Sequence, residues 1–451
     1  MTASLKNLPG TGDFARGIHP SDEKGLAQNS PIEIVPPPAQ IAIPMLQHTG
    51  APCDPAVQVK QELAMGDKVG EAKGFISAPV HTSIAGTVMM ASVTTLPNGR
   101  HVRTIPIKAG PNQVSGDALK AEIFGGEWPT SGLEKYEPAQ IAAAVREAGL
   151  VGLGGAAFPT HVKLTRNEKR PVDTLLVNGC ECEPYLTADY RLMVEFPAPI
   201  VTGALLAGHA SGAKQIVIAV EDNKPAAVEA LKKAAQGTAV QIATVHTKYP
   251  MGGERQVIPA VLKREVPTGG LPLDVGVVVV NVGTAAAIAR AVLRGKALTH
   301  RIVSVTGRGI KNPKNLLVPI GITYQELIDY CGGFTADAAR VVVGGPMMGF
   351  SISTFNIPVT KGTSGVVVLT QDDVKRAEET SCVRCGRCVD VCPLNLVPTK
   401  MALASKFEDW EMAKRYHLLA CCECGCCGYI CPANIPLVQL MRKGKAQMPR
   451  G

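Results

Sequence analysis

Apolar and polar positions change period several times along the chain, and each change marks an element. Asp173–Val177, Gln215–Val220, Val240–Val245 and Val277–Val280 are short runs rich in Val, Ile and Leu, the pattern of strands buried on both faces. After the second run, Asp222 or Asn223 is placed to cap a helix with Pro225 near its start, ending at Gln236 ahead of Gly237. Thr284–Leu293 reads as a helix after the fourth run. Strands separated by helices predict a parallel α/β sheet, with ligands beyond the C-terminal ends of its strands.

The flanks read differently. Before residue 135 the chain is rich in Pro, Gly and Val, with turn signals such as Pro97-Asn98-Gly99, which predicts short strands. Arg301–Gly349 reads as short strands around a helix over Thr323–Tyr330. In Leu396–Leu419, Leu403, Phe407 and Trp410 fall at helical spacing behind Pro398 and read as core, within a loop–helix–loop–helix unit. The longest apolar candidates, Phe196–Ala213 and Val275–Ala289, are interrupted and fall short of the roughly 20 residues a membrane span needs. The start, MTASLKNLPGTGDF, has no signal-peptide core. The expectation is a chain in a reducing cytosol, with peripheral attachment to membrane proteins left open.

Composition sharpens this at one point. The chain has 451 residues, 46% hydrophobic and 19% charged, with a formal charge of +8, so a disordered protein is excluded. It also has 14 cysteines, ten of them between Cys382 and Cys431. They form two runs, Cys382-x2-Cys385-x2-Cys388-x3-Cys392-Pro393 and Cys421-x2-Cys424-x2-Cys427-x3-Cys431-Pro432. This is the spacing of bacterial ferredoxins with two [4Fe–4S] clusters. Three thiolates two residues apart wrap three corners of one cube, and the fourth, followed by Pro, points to the neighbouring cube. Cys382, Cys385, Cys388 and Cys431 are thus expected to hold one cluster, and Cys392, Cys421, Cys424 and Cys427 the other. Neither Cys422 nor Cys426 can start the pattern, and both read as packing residues. Zinc gains nothing from a doubled four-cysteine run. Cys53, Cys180, Cys182 and Cys331 have no partner at ligand spacing and read as buried thiols, with a redox-active Cys180–Cys182 pair as the alternative.

A second motif lies ahead of the first predicted strand. Gly149-Leu-Val-Gly152-Leu-Gly154-Gly155-Ala-Ala-Phe158-Pro159-Thr160-His161-Val162-Lys163 offers backbone amides without a Cβ in the way, and a lysine to neutralise a phosphate. A bare glycine run is as readily an ordinary loop. No Walker sequence is present, so ATP hydrolysis is not indicated.

The whole string resembles the flavin-binding loop of the flavin subunit of respiratory complex I. Asn178-Gly-Cys-Glu181-Cys-Glu183-Pro184, Tyr249-Pro-Met-Gly252-Gly253-Glu254 and Asn281-Val-Gly-Thr284 match further segments in order. Over roughly residues 15–440 the chain is similar to the C subunit of Rnf-type ion-translocating electron transport complexes, the RnfC/RsxC family. Its hallmarks here are Gly17-Ile-His-Pro20, Glu71–Pro79, Glu181–Asp189 and Gly344-Gly-Pro-Met-Met-Gly349. The resemblance implies four domains: a biotinyl/lipoyl-like β-sandwich hybrid over 1–135, an FMN/NADH-binding α/β domain over 136–298, an SLBB β-grasp domain over 299–365 and a two-cluster ferredoxin-like domain over 366–451. Lys73 lies near where a carrier domain presents its modified lysine, but the Met-Lys-Met setting is absent, so docking is the expected role of the first domain. Met347 and Met348 read as core.

The resemblance further implies a noncovalent FMN lined by Gly152, Gly154, Gly155 and Lys163, with Asn178, Asn281 and Thr284 at its ribityl and phosphate region. Glu183 and Glu254 are implied to face the flavin or the nicotinamide nucleotide. For Glu181, Glu183 and Asp189 a solvated acidic loop is the alternative. Val280 stands where complex I has an asparagine, and Gly253 where it has an acid. The implied activity is electron transfer linking NADH and ferredoxin, through FMN and two clusters, in a peripheral subunit on the cytoplasmic face of the inner membrane. No residue serves as acid or base, because a flavin takes a hydride pair and gives single electrons. Partners implied are the other Rnf subunits, membrane-embedded ones and an iron–sulfur subunit included, and ferredoxin indirectly. A soluble flavin/iron–sulfur reductase of the cobalamin-reductase kind, or a relay scaffold that binds no NADH, are the alternatives. Two clusters at about −2 each and an FMN phosphate at about −2 would bring the +8 to about +2. The basic excess is therefore no argument for nucleic acid.

Overall fold

The computed structural model describes residues 4–5, 7–374 and 378–449. Residues 1–3, 6, 375–377, 450 and 451, which fall in the first and last predicted domains, lie outside the described residues.

The four predicted strands form one parallel sheet in the order Val240–Val245, Gln215–Glu221, Thr174–Asn178, Val277–Asn281, each end within a residue of its expectation. Side chains alternate between two apolar faces. Leu175, Val177, Ile216, Ile218, Val278 and Val280 meet helices Pro197–Ser211 and Val282–Arg294. Leu176, Val217, Ala219, Ala243 and Val279 meet helix Glu254–Leu262. Each such Val, Leu or Ile side chain contributes about 1.5–3 kcal/mol by leaving water. The two helices of the first face approach closely because residue 203 is glycine: a Cβ there would lie 1.7 Å from the Ala285 carbonyl oxygen.

One cap differs from expectation. Helix Pro225–Ala234 begins after Lys224, without a side-chain cap. Asp222 is engaged elsewhere, accepting from the Thr247 amide and hydroxyl at 3.0 and 2.6 Å. Lys224 is buried against Glu221, 2.7 Å away.

The β-rich module has a sheet ordered Gln40–Pro44, His101–Ala109, Gly86–Val88, Glu62–Leu63 and a smaller one of Asp54–Pro55, Lys68–Glu71, Val80–His81. They close on Ile41, Ile43, Val69, Val80, Ile105 and Ile107. Its extent differs from the predicted 1–135. Residues 116–135 leave it: Leu119, Ile123 and Leu133 join the α/β core, and Phe124 stacks on Phe196 at 4.1 Å. Residues 4–5 and 7–34 leave it too, running as a strap over the other modules. Ser4 bridges to Thr244 and Ile18 to Tyr249, and Ile32–Ile34 pairs with Asn315–Leu317. That pairing gives an edge to a sheet ordered Ile32–Ile34, Lys314–Pro319, His300–Thr306, Gly365–Thr370, Ala338–Val343, Phe350–Ile352. Helix Tyr324–Tyr330, capped by Thr323 with Glu326, packs on it through Leu327 and Ile328.

The C-terminal module repeats itself at a spacing of 39 residues, the offset between Cys382 and Cys421. Helices Pro398–Phe407 and Leu437–Gln447 pack together, with Gly444 against Ser405. A further helix, Trp410–Arg415, lies between them, and short helices Arg387–Asp390 and Cys426–Tyr429 follow the cysteine loops, none of which the sequence predicts. Arg384 and Glu423, Gly386 and Gly425, and Asn395 and Asn434 are left-handed pairs at that spacing. Met401, Leu437 and Met441 form the core. Leu403 and Phe407, expected there, are 45% and 73% exposed: the helix has two apolar faces, and only the face bearing Met401 and Ala404 meets Leu437–Gln447. Among the described residues no single helix is long and apolar enough to cross a membrane.

Candidate functional site

Strand order reverses beside Thr174–Asn178, whose neighbours are the second strand on one side and the last on the other. Such a switch point leaves a crevice at the C-terminal strand ends. Asn178 and Asn281 end those adjacent strands in register, side by side. Asn281 caps helix Val282–Arg294, accepting from the Gly283 and Thr284 amides, and its Nδ2 donates to Asp189 at 2.6 Å. The Asn178 amide donates to the Gly252 carbonyl at 2.7 Å. Val280, where the resemblance expects an asparagine, is buried in the sheet core.

The glycine loop arches over this crevice. It is pinned by Gly152 N–H to the Phe158 carbonyl at 2.8 Å and by Leu153 N–H to the Thr284 hydroxyl at 2.9 Å. Thr284 is 1% exposed and so holds the loop from beneath. Gly154 and Gly155 are exposed. Gly155 has φ +111°, a conformation open to glycine, and a Cβ on Gly154 would come within 3.5 Å of Asn281. Lys163, from the short helix Thr160–Leu164, reaches the same strand ends. Its ammonium donates to Glu254 at 2.7 Å and to the Val279 carbonyl at 3.0 Å. Glu254 opens helix Glu254–Leu262 behind Gly253. Exposed backbone, two carboxamides and an ammonium therefore converge above the buried Thr284 hydroxyl, a set that suits a phosphorylated ring cofactor such as FMN.

Glu183 is placed apart from these. Its carboxylate accepts from the Met347 and Met348 amides at 3.1 and 2.8 Å, so it faces the Gly344–Gly349 loop. The acidic loop is built rather than solvated. Glu181 accepts from the Asp189 and Tyr190 amides, and burial pushes the Asp189 carboxyl up. Lys24 carries no motif in the sequence. From the strap it donates to the carbonyls of Glu181, Glu183 and Leu186 at 2.9, 3.0 and 2.6 Å, and it is 5% exposed. Only its partners, 157 to 162 residues away, give it meaning.

Burial raises the Glu183 carboxyl to about 7, against the pull of the two amides and Lys24. A raised acid binds more protons folded than unfolded, so stability falls as pH climbs from the ordinary carboxylate range to about 7 and is level above. Glu183→Gln is expected to flatten that fall, by on the order of 1 kcal/mol. Thermal midpoints at pH 5 and 8 check it; an equal pH slope in both proteins would count against it.

The cysteines gather in two sets. Cys382, Cys385, Cys388 and Cys431 line one cavity of about 200 Å³. Burial raises the Cys388 thiol, and Cys385, Cys431 and Cys382 push it further. Cys392, Cys421, Cys424 and Cys427 line a second, tighter cavity of about 20 Å³, with Cys422 and Cys426. Burial and then Cys421 and Cys392 bring Cys427 to about 12. No three of the described His, Cys, Asp or Glu side chains close on a single metal ion; a cube keeps its thiolates at separate corners. Of the remaining thiols Cys53, Cys180 and Cys331 are buried, and Cys182 is half-buried, accepting from the Gly252 amide. Met347, expected in a core, packs instead against Cys424 and Cys426, and Met348 is exposed.

Four family models match the chain: the RnfC barrel sandwich hybrid domain over residues 12–111, the Nuo51 FMN-binding domain over 145–290, the SLBB domain over 302–351 and a 4Fe-4S binding domain over 378–396. The chain is 42% identical to the C subunit of the proton-translocating ferredoxin:NAD(+) oxidoreductase complex of Clostridium ljungdahlii, over 90% of this chain and 87% of that protein. It is 42% identical to the Na(+)-translocating counterpart of Acetobacterium woodii, over 89% of each. It is 41% identical to the C subunit of the ion-translocating oxidoreductase complex of Rhodobacter capsulatus, over 96% and 82%. Among solved structures, an NAD+-reducing [NiFe]-hydrogenase in the H2-reduced state shares the fold at TM-score 0.50 and 20% identity, covering 74% of this chain and 67% of that one.

Proposed function

This chain belongs to the C-subunit family of Rnf-type, ion-translocating ferredoxin:NAD(+) oxidoreductase complexes, and on that premise we propose how its residues serve NADH-linked electron transfer. It is a subunit of that oxidoreductase, with an FMN-binding domain and a 4Fe-4S domain. When bound, FMN takes an electron pair from a nicotinamide and returns it singly to iron–sulfur clusters. The chain's work is binding and orientation.

Gly154 and Gly155 present backbone to the flavin, Gly152 holds the turn of their loop through its bond to Phe158, Thr284 and Asn281 fix that loop, and Asn178 sets the far wall through Gly252. Lys163 neutralises the phosphate, with Glu254 holding its ammonium in place. Cys382, Cys385, Cys388 and Cys431 ligate one [4Fe–4S] cluster, and Cys392, Cys421, Cys424 and Cys427 the other. Filling the tighter cavity requires the second set of sulfurs to spread. Cys422 and Cys426 stand, by the 39-residue repeat, where Val383 and Arg387 stand in the first run, and do not ligate. The partners are the other subunits of the complex, with ferredoxin reached through them, at the cytoplasmic face of the membrane.

The observation that carries this reading is the convergence of the glycine loop, Asn178, Asn281 and Lys163 on the switch point, in one chain with two four-cysteine cavities. Anaerobic titration with NADH tests it. Bleaching of the flavin followed by cluster reduction is expected; a flavin that NADH leaves oxidised would favour a relay without nucleotide binding. Lys163→Glu sets a carboxylate against Glu254 and is expected to lose most of the acid-releasable flavin. Full flavin content in that variant would remove Lys163 from the site.

A further inference from the structure

The proposed flavin site and the second cysteine set are joined by one short segment. Gly252 accepts from Asn178 through its carbonyl, and its amide donates to the Cys182 sulfur at 3.2 Å. Three residues earlier, the Tyr249 hydroxyl donates to the Cys424 carbonyl at 2.6 Å. Tyr249 is 2% exposed and packs with Ile18, Cys424, Cys426 and Met347. The strap reinforces the contact: Ile18 pairs with the Tyr249 backbone, and Gly17 N–H donates to the carbonyl of Val391, next to Cys392. Gly425 must be left-handed and lacks a Cβ where the Met347 carbonyl closes in. The strap also touches the other set, Arg16 donating to the Val389 carbonyl beside Cys388, but among the described residues no hydrogen bond from the α/β domain reaches Cys382, Cys385, Cys388 or Cys431, and the first two are exposed.

We propose that Tyr249 is the positioning residue that fixes the Cys424 loop against the flavin site, so that the centre of Cys392, Cys421, Cys424 and Cys427 exchanges electrons with the flavin and the centre of Cys382, Cys385, Cys388 and Cys431 faces outward. This rests on the ligand reading above. NADH gives up a hydride, two electrons and one proton in all, and becomes NAD+. The pair leaves the flavin site one electron at a time, each lowering the charge of one cluster by one unit, and the proton goes to solvent. A cluster's potential follows the charge around it, and the phenol's hydrogen bond draws negative charge from a carbonyl beside a ligand sulfur, which raises that potential.

The test uses the anaerobically purified holoprotein. Tyr249→Phe is expected to keep the parent's iron and flavin. In an EPR-monitored redox titration one cluster's midpoint falls, while the other cluster and the flavin hold theirs. Freeze-quench after mixing with NADH shows the shifted cluster to be the first reduced in the parent and slowed in the variant. Unchanged midpoints with unchanged reduction kinetics overturn the proposal. If Tyr249→Phe loses iron, a fluorinated tyrosine at 249, equal in shape and a stronger donor, is expected to raise the same midpoint; no movement there overturns it as well. A parent lacking iron or flavin would instead defeat the ligand reading, before any variant is compared.

Discussion

A Cys385→Ala variant purified without oxygen is expected to carry about half of the parent's iron, since each [4Fe–4S] core holds four irons, with its flavin content intact. The structure makes this the clean cysteine to remove. Cys385 is exposed and shares its cavity with Cys382, Cys388 and Cys431. Its loop turns at Gly386, which supplies the left-handed residue whatever stands at 385. Cys388 and Cys427, by contrast, are buried in the module's core, so their loss would mix ligation with packing. Cys422→Ser and Cys426→Ser are the controls, expected to keep the iron of both clusters. Iron counting with protein quantitation decides it: an unchanged count in Cys385→Ala would overturn the assignment.

Lys24→Met is expected to lower the thermal midpoint by several degrees and to weaken flavin retention. The three carbonyls that the ammonium serves, at Glu181, Glu183 and Leu186, would lose their donor while remaining enclosed. Charge-assisted bonds of this kind contribute about 1.5–3 kcal/mol each. Against that stands the cost of burying the ammonium, which Met would relieve. Three short bonds from one cation outweigh it, leaving a net loss on the order of 3 kcal/mol. The effect reaches the flavin because the same loop presents Asp189 to Asn281. Melting curves and acid-released flavin measure both halves. A variant matching the parent in each would show the loop to be held by other contacts.

What the sequence disclosed follows from how local each signal is. The four strands of the parallel sheet are buried on both faces, so their apolar runs mark them without knowledge of neighbours. The ligand spacing is a geometric demand on one short loop, stated twice. The glycine loop and the asparagines at 178 and 281 were legible as segments, but their register at adjacent strand ends is a property of the sheet. Lys24 gave no signal, because a lone lysine in a polar stretch resembles any surface lysine. Leu403 and Phe407 misled for the converse reason: helical spacing records apolar faces without recording which one meets a partner. Glu183 was legible as part of an acidic loop, whereas its turn toward Met347 and Met348 depends on a loop more than 160 residues away.

The strap has a consequence for biogenesis. Arg16 donates to the Val389 carbonyl, 373 residues on, and Ile32–Ile34 completes a sheet edge on Asn315–Leu317. The strap's residues are therefore made long before the residues they pair with. Contacts so distant in sequence form slowly, and domains otherwise fold in the order of synthesis. The α/β and β-rich modules are then expected to assemble first, with the strap closing as a late latch once the cysteine module has emerged. Cells that meet this chain half-made would handle a nascent protein whose strap is still unpaired, and factors guarding that segment would govern its yield more than they govern its final stability.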